Sequence, residues 1–159
     1  MDLDQLDFKL LRELAANSNV TQADLAEKVG LSTTACVRRQ NALENGRYIS
    51  AYRAAVNLPA LGFPATVVVR IALHSQSEEA LSAFERAAAL CPSIARCFLM
   101  SGSDDYLILV VARDIEDFEH IHKTQLARLP GVARIQSNFA LRTILDRDLP
   151  PRVLESRCL

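Results

Sequence analysis

Leucines at positions 3, 6, 10 and 14, with Leu11 beside them, recur at helical spacing and predict an amphipathic helix that must lean on a partner. A second, short helix opens at Thr21, whose hydroxyl is placed to cap the first turn while Asp24 reaches back in a capping box. Its Leu25 and Val29 face inward, and Gly30 ends it. Ser32 caps a third helix that runs to about Asn45, where Gly46 stops it, and residues 48–56 read as extended. Residues 58–64, with two prolines and a glycine, break every period and form the natural linker. Beyond it the pattern predicts a strand over 66–73, a helix over 77–90 with Leu81, Phe84 and Ala88 inward, and strands over 94–101 and 106–112. Asp114, with Asp117 three residues on, caps a helix reaching Leu129 that turns Ile115, Phe118, Leu126 and Leu129 inward; a last strand covers 133–145.

The order βαββαβ folds as one antiparallel sheet with both helices on one face and the first and third strands in the middle. Val67, Val68 and Val69, and the run from Leu107 to Val111, are apolar at both parities, whereas the other two strands contain Arg96, Arg134, Gln136, Asn138 and Arg142. The central strands therefore call for burial on both faces, and two helices cover only one. A second copy of the chain is the economical cover for the other.

Composition narrows the class. Half of the 159 residues are apolar and 23% are charged, a mixture that builds a core and is far from that of disordered chains. No apolar run approaches the ~20 residues of a membrane-spanning helix, and the acidic start MDLDQLDFKL is unlike a secretory signal, so a cytoplasmic location without membrane partners is expected. Cys36, Cys91, Cys97 and Cys158 have no C-x-x-C pairing and read as reduced, buried structural thiols.

Charge distribution adds more than the net charge of −1. Residues 1–27 carry six acids against Lys9 and Arg12, while residues 28–53 carry Lys28, Arg38, Arg39, Arg47 and Arg53 against Glu44 alone. A basic segment in a neutral chain suits local contact with phosphates. It coincides with two helices separated by Gly30-Leu31-Ser32, a helix-turn-helix pattern whose second helix is free to enter a DNA major groove. On that helix Cys36, Gln40 and Leu43 share one arc, and Thr34, Arg38 and Asn41 the opposite one. Thr34 and Asn41 suit base edges, Arg38 a guanine or a phosphate, and Ser32 and Thr33 the anion-attracting helix start; Thr21 joins them at the start of the preceding helix. Arg39 lies on the flank, placed equally for a phosphate or for a structural ion pair.

These residues resemble the Lrp/AsnC family of feast/famine regulators over almost the whole chain. The carriers are LDQLDFKLLREL at the start, LAEKVGLSTTACVRRQNALE through the helix-turn-helix, ISAYRAAVN after it, SGSDDYLILV between the middle strands and LPGV before the last. The resemblance implies an α+β chain: an N-terminal winged helix-turn-helix domain over 1–50, a hinge strand and linker over 51–64, a ferredoxin-like βαββαβ domain for effector binding and oligomerisation over 65–146, and a tail over 147–159. It implies double-stranded DNA, an amino acid or related metabolite, and further copies of the chain, as a dimer building tetramers or octamers, for partners. The family's loop pattern of glycine, two variable residues, aspartate and tyrosine stands here as Gly102-Ser103-Asp104-Asp105-Tyr106, so the implied effector site is Ser101, Gly102, Ser103, Asp104, Asp105 and Tyr106, with Ser137 by family position. There are departures: Thr33 and Ala35 stand where the family commonly has proline, Gln40 where it has an apolar residue, Asn41 and Ala42 where it has basic ones, and Ala51 where a hinge glycine is usual.

Catalysis has little support. His120 and His122 point about 200° apart on one helix, adjacent Asp104 and Asp105 alternate in direction, and neither a glycine-rich phosphate loop nor a nucleophile with a nearby base is present, so neither enzyme activity, metal nor cofactor is expected. The leading function is an amino-acid-responsive, sequence-specific transcription factor. Alternatives are a nucleoid-type architectural DNA-binding protein without a ligand, and an enzyme subunit whose first domain makes only protein contacts.

Overall fold

The computed structural model describes residues 2–147 and 149–155, in two compact units. The first combines the chain up to Ala55 with the C-terminal segment from Leu145; the second spans Val56–Ile144.

In the first unit, α1 (Gln5–Ala16), α2 (Gln22–Val29) and α3 (Thr33–Asn45) enclose Leu10, Leu14, Leu25, Ala26, Val29, Cys36 and Leu43, with Leu3, Leu6 and Leu11 packed at the edge. Asp4 caps α1 in a reciprocal box, taking the Asp7 N–H at 2.9 Å while the Asp7 carboxylate takes the Asp4 N–H at 3.0 Å. The expected box on α2 is half formed. Thr21 accepts the Asp24 N–H, but the Asp24 carboxylate takes the Thr21 hydroxyl proton at 2.7 Å and leaves the backbone N–H alone. Gly30 stops α2 in the left-handed conformation, φ +81°. The end of α3 is built differently: Gly46 has an ordinary φ, Arg47 takes the positive one (+59°), and a Cβ on Gly46 would lie 2.8 Å from the exposed Tyr48 ring, which would have to turn aside. The extended stretch after α3 has no ladder partner among the described residues, and a single helical turn, α6 (Pro151–Glu155), lies near the C-terminus. Cys158 lies outside the described residues.

The second unit has strands β1 (Ala65–Leu73), β2 (Ile94–Leu99), β3 (Tyr106–Ala112) and β4 (Val132–Phe139) in the antiparallel order β2-β3-β1-β4, with helices α4 (Glu78–Ala89) and α5 (Ile115–Thr124). The central pair is the predicted one. Val67, Val69, Ile71, Ile108, Val110 and Ala112 point under the helices and pack on Phe84, Ala88, Phe118 and Ile121. The other parity, with Val68, Leu107, Leu109 and Val111, is half-buried and carries no helix; Phe98 on β2 joins this face and is exposed.

Element ends depart from the pattern where partners run out. β4 stops at Phe139, not 145, because β1 begins at Ala65 and the Ala140 N–H to Thr66 oxygen bond is the last available. β2 stops at Leu99, opposite Tyr106, where the hairpin turns. The predicted helix to Leu129 breaks after Thr124, whose hydroxyl donates to the His120 carbonyl, and finishes as a 3-10 turn, Leu126–Arg128. Ile115, expected inside, is exposed at the first turn of α5. Cys36 is buried and Cys91 half-buried, but Cys97 is exposed on edge strand β2, against the expectation of buried thiols. Among the described residues, no helix is long and apolar enough to cross a membrane, and no group of three or more His, Cys, Asp or Glu side chains is placed to hold a metal ion.

Candidate DNA-reading face and effector loop

Ser32 starts α3 by accepting the Ala35 N–H at 3.3 Å, which leaves the first-turn N–H groups of Thr33 and Thr34 at an exposed helix start. Thr34, Arg38 and Asn41 follow at intervals of four and three and are all exposed on one side of the helix. Arg38 has no ion-pair partner among the described residues, so its guanidinium is available to a ligand. Thr21 is exposed as well, with its hydroxyl engaged to Asp24.

Arg39 is committed elsewhere. Its Nη1 lies 2.8 Å from both Asp4 and Asp7, so it ties α3 to the capping box of α1. The Asp7 side chain is only 6% exposed, which makes that contact a partly buried ion pair. The Asp4 carboxyl is held below its ordinary value, first by the Asp7 N–H and then by Arg39, against an opposing push from burial; Arg39 is pushed up by hydrogen bonds to Asp7 and Asp4. Arg39 and Arg38, adjacent in sequence, thus have separate surroundings.

Gln40 heads a polar chain that the sequence did not reveal. Its carbonyl accepts from Gln22 on α2 at 2.7 Å, and its amide donates to the Tyr52 hydroxyl at 2.7 Å and to Glu44 at 3.1 Å. Tyr52 in turn donates to Glu44 at 2.7 Å, and burial followed by this bond to Glu44 raises its phenol above the ordinary value. An amide at a position that commonly holds an apolar side chain was the available signal.

In the second unit the candidate effector residues separate by face. Ser101, Gly102 and Ser103 form an exposed turn after β2, with Gly102 at φ +156°, a conformation L side chains rarely adopt. Asp105 is buried. Its carboxylate accepts from the Leu73 N–H and the Gln76 amide, both at 2.7 Å, its N–H donates to Ile71, and its carbonyl accepts from Met100. That residue clamps the ends of β1, β2 and β3. Tyr106 lies under the helices, stacked on Phe84 at 4.3 Å between centroids, with its hydroxyl donating to Glu85; burial, then Glu85, drive its phenol far upward. Ser137 is opposite Val69 and shares that helix-covered side.

Asp104 alone of the two acids faces the uncovered side. It accepts from Arg134 at 2.7 Å and lies 3.9 Å from Arg70. Neither arginine was singled out as a site residue by sequence reasoning. The signal for Arg70 was a lone charge in the strand ATVVVRIAL.

A three-helix unit with an exposed third-helix face and a separate four-stranded unit with a polar loop define a two-domain DNA-binding regulator. Residues 3–50 match the profile described as winged helix-turn-helix DNA-binding, and residues 66–150 match the Lrp/AsnC ligand binding domain. The chain is 37% identical to the Bkd operon transcriptional regulator of Pseudomonas aeruginosa, over 94% of this chain and 98% of that protein. It is 32% identical to the leucine-responsive regulatory protein of Rhizobium meliloti, over 92% of this chain and 94% of that protein. A transcriptional regulator from Neisseria meningitidis, solved as a complex with L-methionine, superposes with a TM-score of 0.90 at 28% identity, covering 96% of this chain and 99% of that one. An AsnC family regulator from Agrobacterium tumefaciens gives 0.89 at 34% identity, covering 95% and 98%. The chain belongs to the Lrp/AsnC family and is a transcriptional regulator.

Proposed function

We propose that this regulator reads double-stranded DNA with Thr34, Arg38 and Asn41 on α3, anchored on phosphates by Ser32 and Thr33 at its start and by Thr21 at the start of α2, and that an amino acid bound beside the loop Ser101, Gly102, Ser103 and Asp104 changes its assembly and its DNA affinity. The observation that carries the reading is the exposed Thr34, Arg38 and Asn41 row on a helix whose opposite arc is closed by Cys36 and Leu43. Polar groups left facing outward at that spacing meet successive base edges when a helix lies in the major groove. The uncovered sheet side, with Val68, Leu107, Leu109, Val111 and exposed Phe98, seats a second copy, and dimers assemble further into tetramers or octamers. Asp105 and Tyr106 support the loop from inside, and Ser137, on the helix-covered side, is a weaker contact candidate. The L-methionine bound by the Neisseria meningitidis protein supports an amino acid as the effector class. The protein acts in the cytoplasm, where DNA and free amino acids meet, and carries out no catalysis.

Selection of binding sites from random duplexes, followed by titration of the enriched site with each of the twenty amino acids, tests this. A palindrome with half-sites about one helical turn apart and an amino acid that shifts its affinity are expected. Tight binding without any enriched sequence would establish an architectural protein instead. Light scattering at micromolar concentration should give a dimer or larger, and a persistent monomer would overturn the sheet-face assembly.

A further inference from the structure

The chain leaves the DNA-binding unit through a segment that is fastened back onto the reading helix. Ile49 packs at the edge of the helical core. Further along, the Tyr52 hydroxyl donates to Glu44 at 2.7 Å and accepts the Gln40 amide at 2.7 Å, and Gln40 in turn accepts from Gln22 on α2. The bond to the Glu44 carboxylate is charge-assisted, and burial followed by Glu44 holds the phenol above its ordinary value, so it stays the donor. Tyr52 is 46% exposed, so this fastening opens without unfolding the core. Gln40 lies on the arc of Cys36 and Leu43, away from Thr34, Arg38 and Asn41, and reads no base itself.

The far end of the connection is tied down as well. Asn57 holds the turn Pro59–Leu61, its side chain accepting the Ala60 N–H at 3.1 Å and its carbonyl the Leu61 N–H at 3.3 Å. Beyond the turn, the Arg113 guanidinium lies 5.4 Å from the centre of the Phe63 ring. Between the two anchored ends, residues 53–56 are exposed and belong to no helix or strand. Releasing the Tyr52 hydroxyl lengthens that unanchored stretch to 50–56. The added extended chain spans about 10 Å, the length of about three base pairs.

We propose that Tyr52, held by Gln40 and Glu44, sets the half-site spacing this regulator accepts, by keeping the tether of each DNA-binding unit short. The inference rests on the paired half-sites proposed above and says what fixes their separation. Two reading helices carried on one assembly form a bivalent binder, and the second engages at an effective concentration that falls steeply once its tether cannot span the sites. A short tether therefore makes the protein strict about spacing, and a longer one makes it tolerant, with the contacts to each half-site unchanged. Gln40 is a positioning residue: its amide holds the Tyr52 hydroxyl while its carbonyl is held by Gln22, and an apolar side chain there leaves Tyr52 with Glu44 alone.

The test uses the full chain and the duplex that wild type enriches from random DNA, rebuilt with up to about three base pairs added or removed between the half-sites, beside a duplex carrying a single half-site. At altered spacings wild type should lose about tenfold or more in affinity and Tyr52→Phe about threefold or less, with equal affinity for the single half-site. Gln40→Leu should fall between them, and Glu44→Gln, which keeps an acceptor for the hydroxyl, should stay close to wild type. Limited trypsin digestion reads the anchor itself: cleavage after Arg53 should be several-fold faster in Tyr52→Phe. Circular dichroism confirms folding, and Tyr52→Phe, which keeps the ring, decides the outcome should Gln40→Leu fail to fold. If folded Tyr52→Phe keeps the wild-type spacing profile, the assignment is overturned whatever the digestion shows, while the paired-site reading survives. If it changes the bases preferred within a half-site and not the spacing, the network serves base reading and the assignment again falls. If wild type enriches no paired site, or binds all spacings equally, both readings fall together.

Discussion

Arg39→Met removes one charge and keeps most of the stem, so it isolates the ion pairs to α1. The Asp4 partner is half exposed, and pairs of that kind contribute about 0.2–1 kcal/mol. The Asp7 partner is nearly buried, and removing the cation leaves its carboxylate with the Asp4 N–H at 3.0 Å as its remaining donor among the described residues. Breaking a fully buried pair costs about 3–5 kcal/mol; Arg39 is itself 25% exposed, so about 2 kcal/mol is the reasonable share here. A total of about 2–3 kcal/mol in a unit this small lowers the melting temperature by on the order of 10–20 °C. Calorimetry of the full chain should show that loss in the helical unit, and Asp7→Asn should recover part of it, since a neutral partner no longer needs the guanidinium. DNA affinity should fall only as far as the folded fraction falls. A variant that melts within about 2 °C of wild type yet loses DNA affinity with a salt slope reduced by about one unit would refute the reasoning and make Arg39 a phosphate contact. The pH dependence has a defined sign: Asp4 is depressed from its ordinary 3.8, so its stabilising contribution is complete above that value and is lost as pH falls through the lower folded value. Arg39→Met should remove only the guanidinium's share of that acid transition and leave the larger share that comes from the Asp7 N–H.

Other changes probe different parts of the molecule. Arg38→Ala should weaken specific DNA binding by about 1–3 kcal/mol if it reads a base, or lower the salt slope by about one unit if it meets phosphate, whereas Thr34→Ala and Asn41→Ala should alter sequence preference at constant salt slope; gel-shift titrations across salt decide this, and wild-type behaviour in all three removes α3 from the interface. Asp105→Ala should cost roughly 2–3 kcal/mol by leaving the buried Leu73 N–H without its acceptor, and Asp105→Asn less, because the Asn carbonyl can still serve Leu73 if the Gln76 amide turns over; urea titration measures both. Gln40→Leu should destabilise the helical unit by about 1–3 kcal/mol, since Gln22, Tyr52 and Glu44 all lose a partner, and a neutral or stabilising result would show that water replaces the chain easily. Phe84→Ala should cost about 3–5 kcal/mol and free the Tyr106 ring, visible as a changed near-ultraviolet spectrum.

Periodicity read most of the fold because helix faces and strand parities are local properties. Leu10, Leu14, Leu25, Val29, Cys36 and Leu43 needed only 3.6-residue spacing to be placed inside, and the two strands apolar at both parities had to be the central ones. Ends were less legible: β4 stops where β1 offers no further carbonyl, which no window of residues 133–145 records. The candidate effector loop was recognisable as a motif, but the phase of Asp104 and Asp105 was not. Which acid points inward depends on the hairpin register and on Gln76, 29 residues away in the chain. Arg70, Asp104 and Arg134 come from three strands or loops and meet only through sheet pairing, so no spacing in the sequence advertises them. The Gln22, Gln40, Glu44 and Tyr52 chain is hidden for the same reason.

The neighbouring acids of the loop have opposite tolerances to change. Asp105 carries the ends of three strands, and any replacement there is paid for in folding. Among the described residues Asp104 has its ion pairs with two exposed arginines on the strand surface, so positions 70, 104 and 134 can change together at less cost to the sheet. For a family of sensors this separates what a descendant must inherit from what it is free to explore.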